Sequence, residues 1–281
     1  MHLDQIRATA PARRAFLSRM RWAGLGAAAA ALLSAAAPGA QAKSGKTLAT
    51  RGGGRTAKPL GVEGTAAAAF PGTPGSSNNE IVLNYALTLE RLEADLYRQA
   101  LNKATGRALS APLAASAAAY KQTVPDGPFR CEAEAVAAFA YLRDFAYVEA
   151  AHRDFLIAAM QATGLAPVGP NPGGYKFPTA LPASLYGILQ QVIPLEETGV
   201  RAYLGAAGFL TDLGLVQVAG TIYTTEARHS AVINLVLNAP VGPVTLPGDK
   251  EVVAGPPSPQ TFEKFLDPAT VIAAVTSTYF A

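Results

Sequence analysis

This sequence is poor in the features that cross-link a fold or keep a chain from folding. One cysteine among 281 residues, Cys131, leaves no internal disulfide to form, so no covalent staple holds the chain. Charged residues make up 15% against 50% hydrophobic. Disorder throughout is excluded, because its signature is low hydrophobicity with high net charge. Past residue 40 no run approaches the ~20 apolar residues of a spanning helix, which excludes a polytopic membrane protein. Gly-x-Ser-x-Gly, P-loop and Gly-x-Gly-x-x-Gly patterns are all missing, and with them the turns that expose a serine nucleophile or cradle phosphates. What remains is length enough for one sizeable core or two modest ones.

The formal charge of +3 hides a division along the chain. Residues 1–42 hold five arginines (Arg7, Arg13, Arg14, Arg19, Arg21) against Asp4 alone, whereas from Glu80 onward there are 13 basic and 18 acidic residues. Nucleic-acid binding needs a concentrated basic face, and the body of the chain has none. The arginine-rich start reads as an address. Arg13-Arg14-Ala15-Phe16-Leu17 precedes an uncharged stretch from Trp22 to Ala37, then Pro38 and Ala40-Gln41-Ala42. That is a charged region, a short apolar region and a small-x-small cleavage site. The twin arginine resembles the signal of the bacterial twin-arginine (Tat) export route. The expectation is a signal peptide over 1–42, a periplasmic or extracellular product, and no integral membrane span after cleavage. Tat carries folded proteins, often with a cofactor inserted, which directs attention to a metal. Residues 43–77 contain Gly52-Gly53-Gly54 and Pro71-Gly72-Thr73-Pro74-Gly75 without periodicity, and are expected to form a disordered tether.

From Asn78 the texture becomes helical. Asn78 or Asn79 can cap a first helix near 79–104, ended by Gly106. A short Ala-rich helix is expected over 110–121, and a second long helix from about Glu132 to Thr163, stopped by Gly164. The link from Pro167 to Pro182 contains Asn171-Pro172-Gly173-Gly174 and cannot be regular. A third helix fits 183–207, and a fourth fits about 213–238, closed by Asn238-Ala239-Pro240. Four long helices with one long crossover make an all-α, ferritin-like four-helix bundle over residues 78–240. The extension 241–281 offers two short helices, capped at Ser258-Pro259 and Asp267-Pro268.

Chemistry concentrates in two repeats. Outside the signal only His152 and His229 remain, and each has a glutamate three residues earlier, Glu149 and Glu226. Glutamate fills 12 of 281 positions, so chance places one there about 4% of the time and both about twice in a thousand. Residues three apart share a helix face, so each pair can offer a carboxylate and an imidazole to one metal. In the other two helices Leu89-Glu90 is followed at seven residues by Tyr97, and Leu195-Glu196 at seven by Tyr203. Two carboxylates plus two Glu-x-x-His pairs from four inward-facing helices is the ligand set of dimetal carboxylate bundles. The remaining aromatic residues of the second helix, Phe145 among them, read as core or bundle surface.

The segments Asn84–Tyr97 and Leu195–Ala207 resemble the ferritin-like domain of desiccation-related proteins, a group with bacterial Tat-exported members. The resemblance implies two divalent ions, iron or manganese, held by Glu90, Glu149, His152, Glu196, Glu226 and His229. Glu149 and Glu226 would bridge the ions, Glu90 and Glu196 would be terminal, and Tyr97 and Tyr203 would orient the carboxylates. Glu93 and Glu197 are rivals for the terminal roles, but only Glu90 and Glu196 repeat with Leu before and Tyr seven after. Relatives often place Asp just before the Glu of Glu-x-x-His; here those positions are Val148 and Thr225, so support for the histidines must come from elsewhere. Pro194 removes a backbone donor two residues before Glu196 and can kink the third helix. The implied activity is redox chemistry with dioxygen or hydrogen peroxide, oxidase-, peroxidase- or catalase-like. A non-enzymatic stress-protective scaffold and an iron-storage cage are the competing readings, and homo-oligomerisation is left open.

Overall fold

The computed structural model describes residues 65–252 and 262–281; the expected signal peptide and the helix at Ser258-Pro259 lie outside them. Among the described residues there are six α-helices: α1 (Ala66–Ala69), α2 (Asn78–Ala104), α3 (Glu132–Ala162), α4 (Leu185–Ala207), α5 (Leu213–Val236) and α6 (Pro268–Tyr279). Helices α2 and α3 form one hairpin and α4 and α5 a second, and the hairpins pack through α2 on α4 and α3 on α5. The irregular stretch from 163 to 184 crosses between them. No helix of the described residues is long and apolar enough to cross a membrane.

Local chemistry explains the boundaries. Ser77 caps α2 by accepting the Glu80 N–H at 3.2 Å, and Glu80 reaches back to the Ser76 N–H at 2.7 Å, a reciprocal cap that satisfies otherwise unpaired donors. The two asparagines expected to cap this helix tether other segments instead. Asn78 accepts from the Ala66 N–H, and Asn79 from the Thr211 N–H at 2.9 Å. Ser184 and Asp212 cap α4 and α5, and Gly106 and Gly164 end α2 and α3 at positive φ, where glycine carries no Cβ penalty.

Two expectations are corrected. Residues 110–121 are not an α-helix; only Ala117–Ala119 form a 3₁₀ turn. Pro112 interrupts the run, and the Ala111 carbonyl is taken by Asn102 and Arg98 at 2.7 and 3.0 Å, so tertiary hydrogen bonds override alanine propensity. The last part of the expected tether packs on the bundle from Thr65 onward. Phe70 is buried edge-to-face against Tyr85 and Phe209, with ring centroids 4.9 and 5.0 Å apart.

The C-terminal extension is fastened to the same bundle. Arg201 of α4, fully buried, binds Asp249 at 2.6 Å and the Val244 carbonyl at 2.8 Å. Beyond it the two-residue strands β1 (Lys250–Glu251) and β2 (Lys264–Phe265) pair antiparallel. The chain then crosses α4 so closely that a Cβ on Gly205 would lie 2.1 Å from the Leu266 carbonyl oxygen. Helix α6 starts with Pro268 at its first turn, as expected, and buries Val271 and Val275. Its end clasps the crossover, where the Lys176 N–H donates to the Tyr279 carbonyl at 2.8 Å.

Candidate metal centre

Each long helix delivers its acidic residue to the middle of the bundle. Glu90, Glu149, Glu196 and Glu226 are all at most 1% exposed. Glu149 and His152 stand one turn apart on α3, and Glu226 and His229 likewise on α5, so both Glu-x-x-His pairs face inward as the spacing requires. Pro194 does not break α4, which runs continuously from Leu185 to Ala207, and Glu196 reaches the centre with the other three. A proline's missing donor costs most where the ladder is buried, and Pro194 is exposed.

The side chains assemble into two overlapping groups. Glu90, Glu149, His152 and Glu226 offer ligand atoms within 4.8 Å of one another, and so do Glu149, Glu196, Glu226 and His229. Glu149 and Glu226 belong to both. Glu149 turns Oε2 to His152 Nδ1 at 3.1 Å and Oε1 to His229 Nδ1 at 2.9 Å. Glu226 Oε1 lies 3.2 Å from His152 Nδ1. The outer carboxylates repeat one another: Glu90 Oε2 is 3.4 Å from His152 Nδ1, and Glu196 Oε2 is 3.4 Å from His229 Nδ1.

The tyrosines complete this two-fold arrangement by crossing it. Tyr203 of α4 donates to Glu90 Oε1 of α2 at 2.6 Å, and Tyr97 of α2 donates to Glu196 Oε1 of α4. Each outer carboxylate thus has one oxygen held by a hydroxyl from the opposite hairpin. Its other oxygen, Oε2, is buried and close to a histidine nitrogen but makes no well-aligned hydrogen bond, and the same holds for Glu149 Oε1, Glu226 Oε1 and His229 Nδ1; Glu226 Oε2 is likewise without a hydrogen bond. Buried polar atoms are normally satisfied. A concentration of orphans turned toward one centre is what a cation-binding donor set looks like, and mixed carboxylate and imidazole donors fit a divalent ion.

Proton affinities carry the same strain. Burial, reinforced by the neighbouring Glu196, pushes the Glu226 carboxyl up to about 8. Burial also raises Glu90, with His152 opposing. On His229 burial disfavours the charge, but Glu196 and Glu149 outweigh it and lift the imidazole to about 10. His152 is likewise held well above its ordinary value, burial again being outweighed, here by Glu90 and Glu149. Without a metal the cluster therefore holds protons among its acids and imidazoles.

The rival glutamates go elsewhere. Glu197 accepts from Arg201 at 2.6 Å and from Ser230 at 2.6 Å, facing away from the cluster. Glu93 is buried beside the cluster but outside both groups, and burial, with Glu226 next, holds its carboxyl well above the usual range. Aligning the two Leu-Glu…Tyr repeats sets Glu93 against Gly199. A Cβ on Gly199 would lie 3.2 Å from both Glu93 Oε1 and Glu226 Oε2, so glycine makes the room that the extra carboxyl occupies. Sequence reasoning missed one group. Phe145, read as core or surface, stacks on the His229 ring with centroids 3.7 Å apart and planes at 21°, giving His229 the support that no Asp at position 225 provides. Its place four residues before Glu149 is the only signal the sequence carries for it.

A family model for the ferritin-like domain matches residues 79–239. The chain belongs to the ferritin-like family. The match begins one residue into α2 and ends just past α5, so the ferritin-like unit is the bundle itself, with the segment 65–77 that packs before it and the extension after it outside. Among curated proteins, no sequence matched.

Proposed function

We propose that this ferritin-like protein is an exported dinuclear iron or manganese carboxylate protein whose metal pair does redox chemistry with dioxygen or hydrogen peroxide, in defence against oxidative or desiccation stress. One observation carries the reading: Glu149 and Glu226 are members of both four-residue groups, the position a bridging carboxylate takes. Four carboxylates and two neutral imidazoles balance two divalent ions, so the pair can sit in a bundle core at no net charge. Glu90 and His152 would complete one position, Glu196 and His229 the other. Iron or manganese held there supplies one-electron steps between oxidation states.

The chain's own residues prepare the site. Tyr203 and Tyr97 fix the outer oxygens of Glu90 and Glu196, which leaves the inner oxygens aimed at the centre. Phe145 fixes the plane of His229. Exclusion of water around four buried carboxylates strengthens every interaction with a bound cation. Loading then displaces the protons kept on Glu226 and the histidines, so binding strengthens as pH rises.

Export is supported by the twin-arginine pattern and small-x-small site of residues 1–42, and the stress role by the resemblance of residues 84–97 and 195–207 to desiccation-related proteins. Elemental mass spectrometry on protein exported by its own host tests the centre. Two iron or manganese ions per chain, lost in a His152→Ala/His229→Ala double variant, is the expected result. Sub-stoichiometric metal indifferent to the histidines would overturn the proposal and leave the bundle as a scaffold. Export is tested by the mature N-terminus, expected after Ala42, and by its block in Arg13→Lys/Arg14→Lys.

A further inference from the structure

One turn from the metal centre the bundle surrounds a space with a largely apolar lining. Ala86 lies four residues before Glu90, Ile222 four before Glu226, and Leu156 four after His152. These three and Tyr203 line a single cavity of ≈ 20 Å³. Its walls are twelve aliphatic residues and two tyrosines, with no carboxyl, amine, guanidinium or imidazole among them. Tyr203 hydrogen-bonds Glu90, so one wall of the cavity is the group that holds an outer carboxylate. At the far end Leu210 and Ala219 are half-buried, which gives the cavity a rim toward the surface.

Size and polarity select the occupant. One water needs roughly 10–15 Å³ and two to four polar partners; the space suffices for a molecule of that size, but with the Tyr203 hydroxyl donated to Glu90 the Tyr85 hydroxyl is the one uncommitted polar group of the lining, fewer than a water needs. A diatomic of low polarity fits, and an organic substrate does not. Dioxygen has no dipole and dissolves better in hydrocarbon than in water. Hydrogen peroxide keeps four hydrogen-bonding sites that this lining would strip. The polar approach to the centre is elsewhere, at His152, whose side chain is 14% exposed. We infer that the cavity bounded by Ala86, Leu156, Tyr203 and Ile222 is a binding site for dioxygen, through which that oxidant reaches the metal centre separately from peroxide. The route rests on the redox reading above; the binding site does not.

The test begins with metal-free, methyl-labelled protein under elevated dioxygen pressure, followed by NMR. Paramagnetic relaxation enhancement is expected to peak at the methyl groups of Leu156, Leu215 and Ile222, above comparably buried methyls such as those of Leu92, Leu237 and Ile81. Uniform enhancement across the core would overturn the binding site, whatever the metal content. Ala219→Leu, which fills the cavity from its rim, is expected to abolish the local enhancement. In metal-loaded protein it should slow oxidation by dioxygen about tenfold, a barrier change of about 1.4 kcal/mol, with the peroxide reaction unchanged. Equal slowing of both oxidants, or of neither, would overturn the route while leaving metal content as a separate result.

Discussion

Glu196 and Glu197 are neighbours on α4, yet they enter two opposite kinds of buried polar cluster. Around Glu197 everything is paired: Arg201 donates to Glu197, Asp249 and the Val244 carbonyl, and Ser230 and Asn234 donate to Glu197. Around Glu196 the inner oxygens crowd His229 Nδ1 at 2.9–3.4 Å, yet none of these contacts has the geometry of a hydrogen bond. Both clusters are charged and both are buried. The paired cluster is complete and holds the C-terminal extension to the bundle. In the unpaired one, protons kept on the cluster or a bound cation must offset the crowding of its carboxylates. Hydrogen-bond satisfaction, not charge or burial, separates structure from site here.

That contrast can be broken at several points. The largest effect on stability is expected from Arg201→Leu, which strands Asp249 and Glu197 in the interior. Removing one partner of a buried ion pair costs about 3–5 kcal/mol, so chemical denaturation should show that loss with the metal-to-chain ratio unchanged in the surviving fold. Next, Glu196→Gln and Glu197→Gln should diverge. Glu196→Gln lowers metal content by about one ion per chain and leaves the metal-free protein as stable or more so, since one of four crowded carboxylates is gone. Glu197→Gln keeps the metal and loses about 1–3 kcal/mol; the reverse pattern would show the clusters to be misassigned. Tyr203→Phe and Tyr97→Phe free one outer oxygen each. Both should weaken metal affinity by about 10-fold or more, measured by competition with a chelator, and by similar amounts because the two positions are related by the internal two-fold.

A further difference is expected in pH dependence. In the metal-free protein Glu226 sits at about 8 against 4.5, and His229 at about 10 against 6.5. Between those limits the folded chain binds more protons than the unfolded one, so its stability falls as pH rises. The Glu226 contribution is full below about 4.5 and gone above about 8, and that of His229 is full below about 6.5 and gone above about 10. Thermal unfolding from about pH 6 to about pH 9 should show a falling midpoint without metal and a level or rising one with it.

Much of this was legible in the chain. The four long helices follow from period and glycine stops, and all six proposed ligands from two short repeats, because helical spacing alone decides which face a residue takes. What one helix cannot reveal is what stands opposite it. Glu…Tyr spacing suggests a pair on one face, but Tyr97 serves the glutamate of α4 and Tyr203 that of α2. Phe145 was hidden for the same reason, since its partner comes from another helix. Residues 110–121 read as helix on composition, and the side chains of Asn102 and Arg98 decide otherwise. Phe70 looked like part of a tether until α2 and the residue Phe209 gave it a place to pack.

The crossing has a mechanical consequence. Neither hairpin contains a complete four-residue group: the one with Glu90 and His152 needs Glu226, and the one with Glu196 and His229 needs Glu149. Ions held there would act as rivets between two half-molecules whose only covalent link on this side is the crossover from 163 to 184. Occupancy then reports docking of the halves, so a chain nicked in the crossover should stay in one piece while loaded and come apart when a chelator draws the rivets out.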